Sequence, residues 1–138
     1  MYIVAKVNNA RDSHSVRVAS DDAVKSLQIA PGVAGFGSSI NGGELLLLAV
    51  ATCYCNDLYR EAIRLGISID AVEVEASAEF ESIGLAAKNI RYRAKVASPS
   101  SEADIARLLK ETDAVAEIHN TLRAGATVQL TSAVKVQS

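Results

Sequence analysis

Cys53 and Cys55 are the only thiols in the chain, and they stand one residue apart inside the apolar run from Leu45 to Cys55. The run reads as a helix. Asn41 and Glu44 have the spacing of a capping box at its start, and Gly66 follows Arg60 and Arg64 at its end, where positive charge suits the carbonyl pole. Helical positions i and i+2 lie about 200° apart, so the two thiols face nearly opposite ways and form no disulfide with each other. Cys55 shares its side with Leu48, Ala51, Thr52, Leu58, Tyr59 and Ala62, an apolar stripe expected to pack as core. Cys53 shares its side with Leu46, Ala49 and Val50 before it and with Asn56, Asp57 and Arg60 after it, so it sits where a buried side turns polar. A nucleophilic thiol requires such a margin, because the thiolate is the reactive form and needs polar partners together with access for a substrate. Cys53 is the candidate nucleophile, and Cys55 reads as a small apolar packing residue. A Cys-x-Cys pair that splays its sulfurs, with no further cysteine in the chain, does not read as a metal site. No cofactor is expected. His14 and His119 are the other candidate polar partners for a thiolate.

The elements that must position this helix are legible from pattern. Tyr2–Val7, Ser15–Ala19 and Val24–Ile29 are short Val- and Ile-rich stretches separated by polar turns, an N-terminal meander. The segment from Pro31 to Gly43 carries five glycines and reads as a mobile cover over the helix start. It lacks the Lys-Ser/Thr ending of a phosphate-binding loop. Beyond Gly66, Val72, Val74, Ala76 and Ala78 alternate with Glu73, Glu75, Ser77 and Glu79, and Ile90, Tyr92, Ala94 and Val96 alternate with Arg91, Arg93 and Lys95. One wet face is acidic and the other basic, which predicts antiparallel neighbours with opposite charges across the pair. Ser101 is the expected N-cap of a second helix, with a break near Asp113, and a last strand is expected after Gly125 with Val128, Leu130, Ser132, Val134 and Val136 on one face. The predicted class is α+β with antiparallel sheet, in the order βββ-α-ββ-α-β, as one domain over residues 1–138.

Composition narrows the function. A formal net charge of -2 without a basic cluster argues against a nucleic-acid partner. The apolar run Leu45–Cys55 is too short to span a bilayer, and the first residues lack the pattern of a signal segment, so a cytoplasmic protein with reduced thiols is expected. Leu45, Leu46, Leu47 and Leu48 cover about 300° of a helix, more than one sheet can bury, which predicts an obligate homodimer with the cysteine helices packed centrally.

These residues together resemble the OsmC/Ohr family, the osmotically inducible and organic hydroperoxide resistance proteins. The likeness is carried by Glu44-Leu-Leu-Leu through Ala51-Thr-Cys53, by the closing Ile118-His-Asn-Thr-Leu-Arg-Ala-Gly125, and by the order of elements. It implies an intertwined homodimer with sheets wrapped around paired central helices. It also implies a thiol peroxidase in which Cys53 attacks an organic hydroperoxide, Arg11 from the first connecting loop holds the thiolate, and Glu44 stands near the position of an acidic partner. The chain departs from the family at the helix entry, where Gly42 and Gly43 replace a proline and the first glutamate, and at Ala116, which aligns with the resolving cysteine. An external thiol must then recycle Cys53. Two functions follow: a peroxidase for small apolar hydroperoxides, or a non-catalytic module of the same fold holding a small apolar ligand between subunits.

Overall fold

A computed structural model describes residues 1–137. The elements are β1 (Ile3–Ala10), β2 (Ser13–Ser20), β3 (Ala23–Leu27), α1 (Gly42–Leu65), β4 (Ala71–Glu79), β5 (Lys88–Ala97), α2 (Glu102–Val115) and α3 (Glu117–Ala124). They group into two compact units, Met1–Leu46 and the part from Leu47 onward.

In the amino-terminal unit β1, β2 and β3 form an antiparallel meander, with Val7 opposite Val16 and Val16 opposite Leu27. Its tight turns place Asp12 (φ 56°) and Asp21 (φ 50°) in the left-handed region, which aspartate tolerates better than most residues. The glycine-rich loop is hydrogen-bonded to the end of β1 and to the β1–β2 turn. Asn9 donates to Gly37 O and accepts from Gly37 N, each at 2.9 Å, and Asp12 N donates to Gly35 O at 2.6 Å. Gly35 is required there: its φ is +91°, and an added Cβ would come within 2.7 Å of Asp12 Oδ1. The strands bury little by themselves, leaving Val7 60% and Val24 64% exposed.

The carboxy-terminal unit holds the core. Glu73 faces Lys95, Glu75 faces Arg93 and Ser77 faces Arg91 across β4 and β5, the acidic-to-basic pairing that the alternation predicted. The apolar side of that hairpin, with Val72, Val74, Ala94 and Val96, packs against a cluster of Tyr54, Leu58, Ala62, Leu108 and Ala116 from α1, α2 and the α2–α3 junction. Ser101 caps α2 by accepting from Asp104 N at 3.2 Å. Gly66 ends α1 at φ 68°, with Ile67 N donating to Ala62 O at 2.8 Å.

Three expectations change. The break comes at Ala116, whose ψ of 109° leaves the helical region, so α2 is followed by a separate α3. The core side of α1 runs through Val50, Tyr54, Leu58 and Ala62, whereas Leu48 and Tyr59 from the predicted stripe are 55% and 43% exposed. The strand expected after Gly125 is not formed: Val128 and Leu130 are 94% and 88% exposed, and residues 126–137 carry no ladder pairing. A strand exists only where a neighbour accepts its hydrogen bonds, and within this chain none of the described strands does so.

Candidate active site

Cys53 stands near the middle of α1, half-buried and packed against the core cluster. One turn on, at i+4, Asp57 is 5% exposed and its Oδ2 accepts from Cys53 Sγ at 3.5 Å. Arg60 Nη1 pairs with Asp57 Oδ1 at 3.0 Å. The same guanidinium reaches Glu117 at 3.8 Å, so the first residue of α3 is drawn to the thiol's side of α1.

The second partner comes from α3 itself. A helix start leaves its first N–H groups without internal acceptors, and Ala116, as N-cap, offers no side-chain acceptor. The Ile118 N–H instead lies close enough to Cys53 Sγ to favour its thiolate. The thiol is therefore held between one donor and two carboxylates. Burial pushes its pKa above the ordinary thiol value; the Ile118 N–H pulls it down, and Asp57 and Glu117 push it further up, leaving a net rise. The resting group is a protonated thiol that donates to Asp57. Cys53, Asp57 and Glu117 also bring their ligand atoms within 4.8 Å of one another, a group of the type that can hold a metal ion. Arg60 already supplies the cation that both carboxylates need.

Beside this group lies an aromatic cluster. Tyr54 and Tyr92 meet edge-on at 4.6 Å, and Tyr92 meets the His119 ring at 4.4 Å. Tyr54 donates to Leu109 O at 2.7 Å, and Tyr92 donates to Asp113, which also pairs with Arg123 at 2.7 Å. Burial, then the Asp113 charge, pushes the Tyr54 hydroxyl up to about 12. Burial, then Arg123, pushes the His119 imidazole below its usual value.

The other predicted site residues lie in the amino-terminal unit. Arg11, in the β1–β2 turn, places its guanidinium 4.9 Å from the Phe36 ring centre. Glu44 completes the capping box: its carboxylate accepts from Asn41 N at 3.0 Å, and its own N–H donates to Asn41 Oδ1 at 2.8 Å. His14 Nδ1 lies 2.9 Å from Asn9 Nδ2. Cys55 is half-buried and, like Cys53, free. Sequence reasoning found Asp57 and Arg60 on the side of Cys53 but missed Glu117 and Ile118, which reach the thiol from far along the chain.

Residues 35–131 match the family model for OsmC-like proteins, well over half of the chain. The chain belongs to the OsmC family. Solved OsmC-family structures share its fold. An OsmC-like protein from Mycoplasma pneumoniae is 23% identical over 88% of this chain and 86% of its own, with a TM-score of 0.61. An organic hydroperoxide resistance protein from Legionella pneumophila is 17% identical over 89% and 90% of the two chains, and one from Elizabethkingia anophelis is 16% identical over 89% of each, both with a TM-score of 0.61. A search of curated proteins finds no match to the chain. Among the described residues, no helix of this OsmC-family chain is long and apolar enough to cross a membrane.

Proposed function

We propose that this OsmC-family chain is a thiol peroxidase that reduces small apolar hydroperoxides through Cys53. The observation that carries the reading is the setting of Sγ: half-buried, hydrogen-bonded to Asp57 and faced by the Ile118 N–H. Two solved structures of the same fold are named for organic hydroperoxide resistance.

Once the thiol proton is lost, a sulfur lone pair attacks one peroxide oxygen and the O–O bond breaks. Sulfur is oxidised to the sulfenic acid, and the alkoxide that leaves takes up a proton and departs as the alcohol. The Ile118 N–H stabilises negative charge on sulfur before attack. Arg11 is the cation that the family resemblance assigns to the thiolate, and Glu44 is assigned here to the helix cap alone. Cys55 leaves α1 on another side and Ala116 stands at the family's resolving position, so an external thiol reduces the sulfenic acid, first to a mixed disulfide with loss of water and then to the free thiol. The reading includes a homodimer, supported by the exposure of Leu45 (40%), Leu48 (55%) and the alternating apolar residues after Gly125. The test is mass spectrometry after treatment with substoichiometric cumene hydroperoxide. Oxygen added at Cys53 and not at Cys55 supports the peroxidase, and equal oxidation of both rejects it.

The raised thiol pKa favours a second reading, a binding module without redox chemistry. It predicts that cumene hydroperoxide oxidises Cys53 no faster than it oxidises free cysteine.

A further inference from the structure

Val50, Ile90, Tyr92, His119, Leu122 and Arg123 line a recess of about 200 Å³ in the carboxy-terminal unit, and Cys53 is not among its lining residues. We propose that this recess is a binding site for a small neutral hydroxyl compound, a phenol or a short branched alcohol, hydrogen-bonded to His119.

The walls set the size and the apolar part of the guest. Val50, Ile90, Leu122 and the ring of Tyr92 are apolar surfaces. A dry apolar cavity of about 150 Å³ accepts benzene, so this space takes a guest slightly larger.

His119 sets the polar part. Its side chain belongs to a residue only 5% exposed, and neither Nδ1 nor Nε2 has a hydrogen-bond partner among the described residues. Such a group is costly to leave unmatched, and its neutral ring carries one donor and one acceptor. As the ring stands, both nitrogens are without exposed surface; binding requires a half-turn about χ2, which exchanges the nitrogen and carbon edges of the ring without changing its shape. A guest hydroxyl then donates to the bare nitrogen or accepts from the protonated one.

The charges around the ring exclude an ion. Tyr54, Tyr92, Asp57, Asp113 and Arg123 are the ionisable groups that bear on His119. Arg123 is committed to Asp113 at 2.7 Å and to Asn120 Oδ1 at 3.2 Å, so a carboxylate guest would meet no free cation. Asp57 is paired with Arg60. A neutral hydroxyl is the group that adds a hydrogen bond without adding charge.

The probes are phenol, toluene and benzoate, titrated into the reduced full-length chain labelled at histidine nitrogens and followed by NMR at neutral pH. Phenol should bind and move the His119 ring-nitrogen resonances, with an affinity about ten times that of toluene, the value of one hydrogen bond. Benzoate should bind more weakly than either. His119→Phe keeps the edge-on ring and should bring phenol down to the affinity of toluene, and Leu122→Trp should fill the recess and abolish both. Equal binding of phenol and toluene to the wild type overturns the proposal, as does tighter binding of benzoate. If His119→Phe fails to fold, the wild-type titration decides alone: phenol that binds without moving the His119 nitrogens overturns it, and so does phenol that fails to bind at millimolar concentration.

Discussion

Leu58 is one of the largest fully buried side chains of the carboxy-terminal unit. It is fully buried in the cluster with Tyr54, Ala62, Leu108 and Ala116, and Leu108 and Ala116 beside it are fully buried too. Leu58→Ala removes three carbons there. Substitutions of this kind cost about 2–5 kcal/mol, depending on how far the surroundings close the cavity. Closure is restricted here, because Tyr54 is tied by its hydroxyl to Leu109 O at 2.7 Å. The expected cost is therefore about 4 kcal/mol, toward the upper end of the range. With a urea slope of about 2 kcal/mol per molar, the unfolding midpoint should fall by about 2 M at an unchanged slope. Protomer concentration must be held fixed, since assembly adds to apparent stability. A cost below about 1 kcal/mol would refute the packing argument, because that is the range of surface substitutions. Leu48→Ala is the control: with 55% of the residue exposed in the single chain it should be mild, but a partner subunit covering it would make it as costly as a core change. The dimer reading predicts the costly outcome, together with a midpoint that depends on concentration.

Asp57→Asn removes the first of the carboxylate charges that raise the Cys53 pKa, so iodoacetamide should alkylate Cys53 faster at neutral pH and the pH profile of alkylation should move to lower pH; a slower variant would contradict the assignment. His119 has its folded pKa below the usual 6.5, so the stability it contributes is fully present above that value and is lost as pH falls through the lower folded one; urea midpoints measured from neutral to acid pH should show this loss, and His119→Phe should flatten it. Glu44→Ala should cost about 1 kcal/mol by opening the capping box. Glu44→Gln should retain both stability and peroxide reduction, and a rate loss in Glu44→Gln would return a catalytic role to that residue.

What was legible in the sequence was what neighbouring residues decide. The alternation of Glu73 and Glu75 with valines, matched by Arg93 and Lys95, gave strands, faces and antiparallel pairing together, because period and charge agreed. Asn41 with Glu44, and Ser101 with Asp104, marked helix starts whose hydrogen bonds are local. The core side of α1 was less legible. Asp57 and Glu61 interrupt its apolar stripe and are nonetheless buried, because Arg60 and Arg64 pair with them along the same helix. Val128 to Val136 have the alternation of a strand, but alternation does not supply the neighbour that a strand needs. The Ile118 N–H that lowers the Cys53 pKa comes from far along the chain, and it is a free helix-start donor only because the break at Ala116 begins a new helix there. His119 was legible as a candidate polar partner for the thiolate, but its burial between two tyrosines depends on the same break.

The central claim is that Cys53 reduces an organic hydroperoxide with electrons from an external thiol. The direct measurement is consumption of cumene hydroperoxide with excess dithiothreitol by the wild type, Cys53→Ser and Cys55→Ser, each corrected for the uncatalysed reaction. The account predicts turnover by the wild type and Cys55→Ser, rising with pH as the Cys53 thiolate forms, and none by Cys53→Ser. Turnover by Cys53→Ser at the wild-type rate, or none by the wild type, would contradict it.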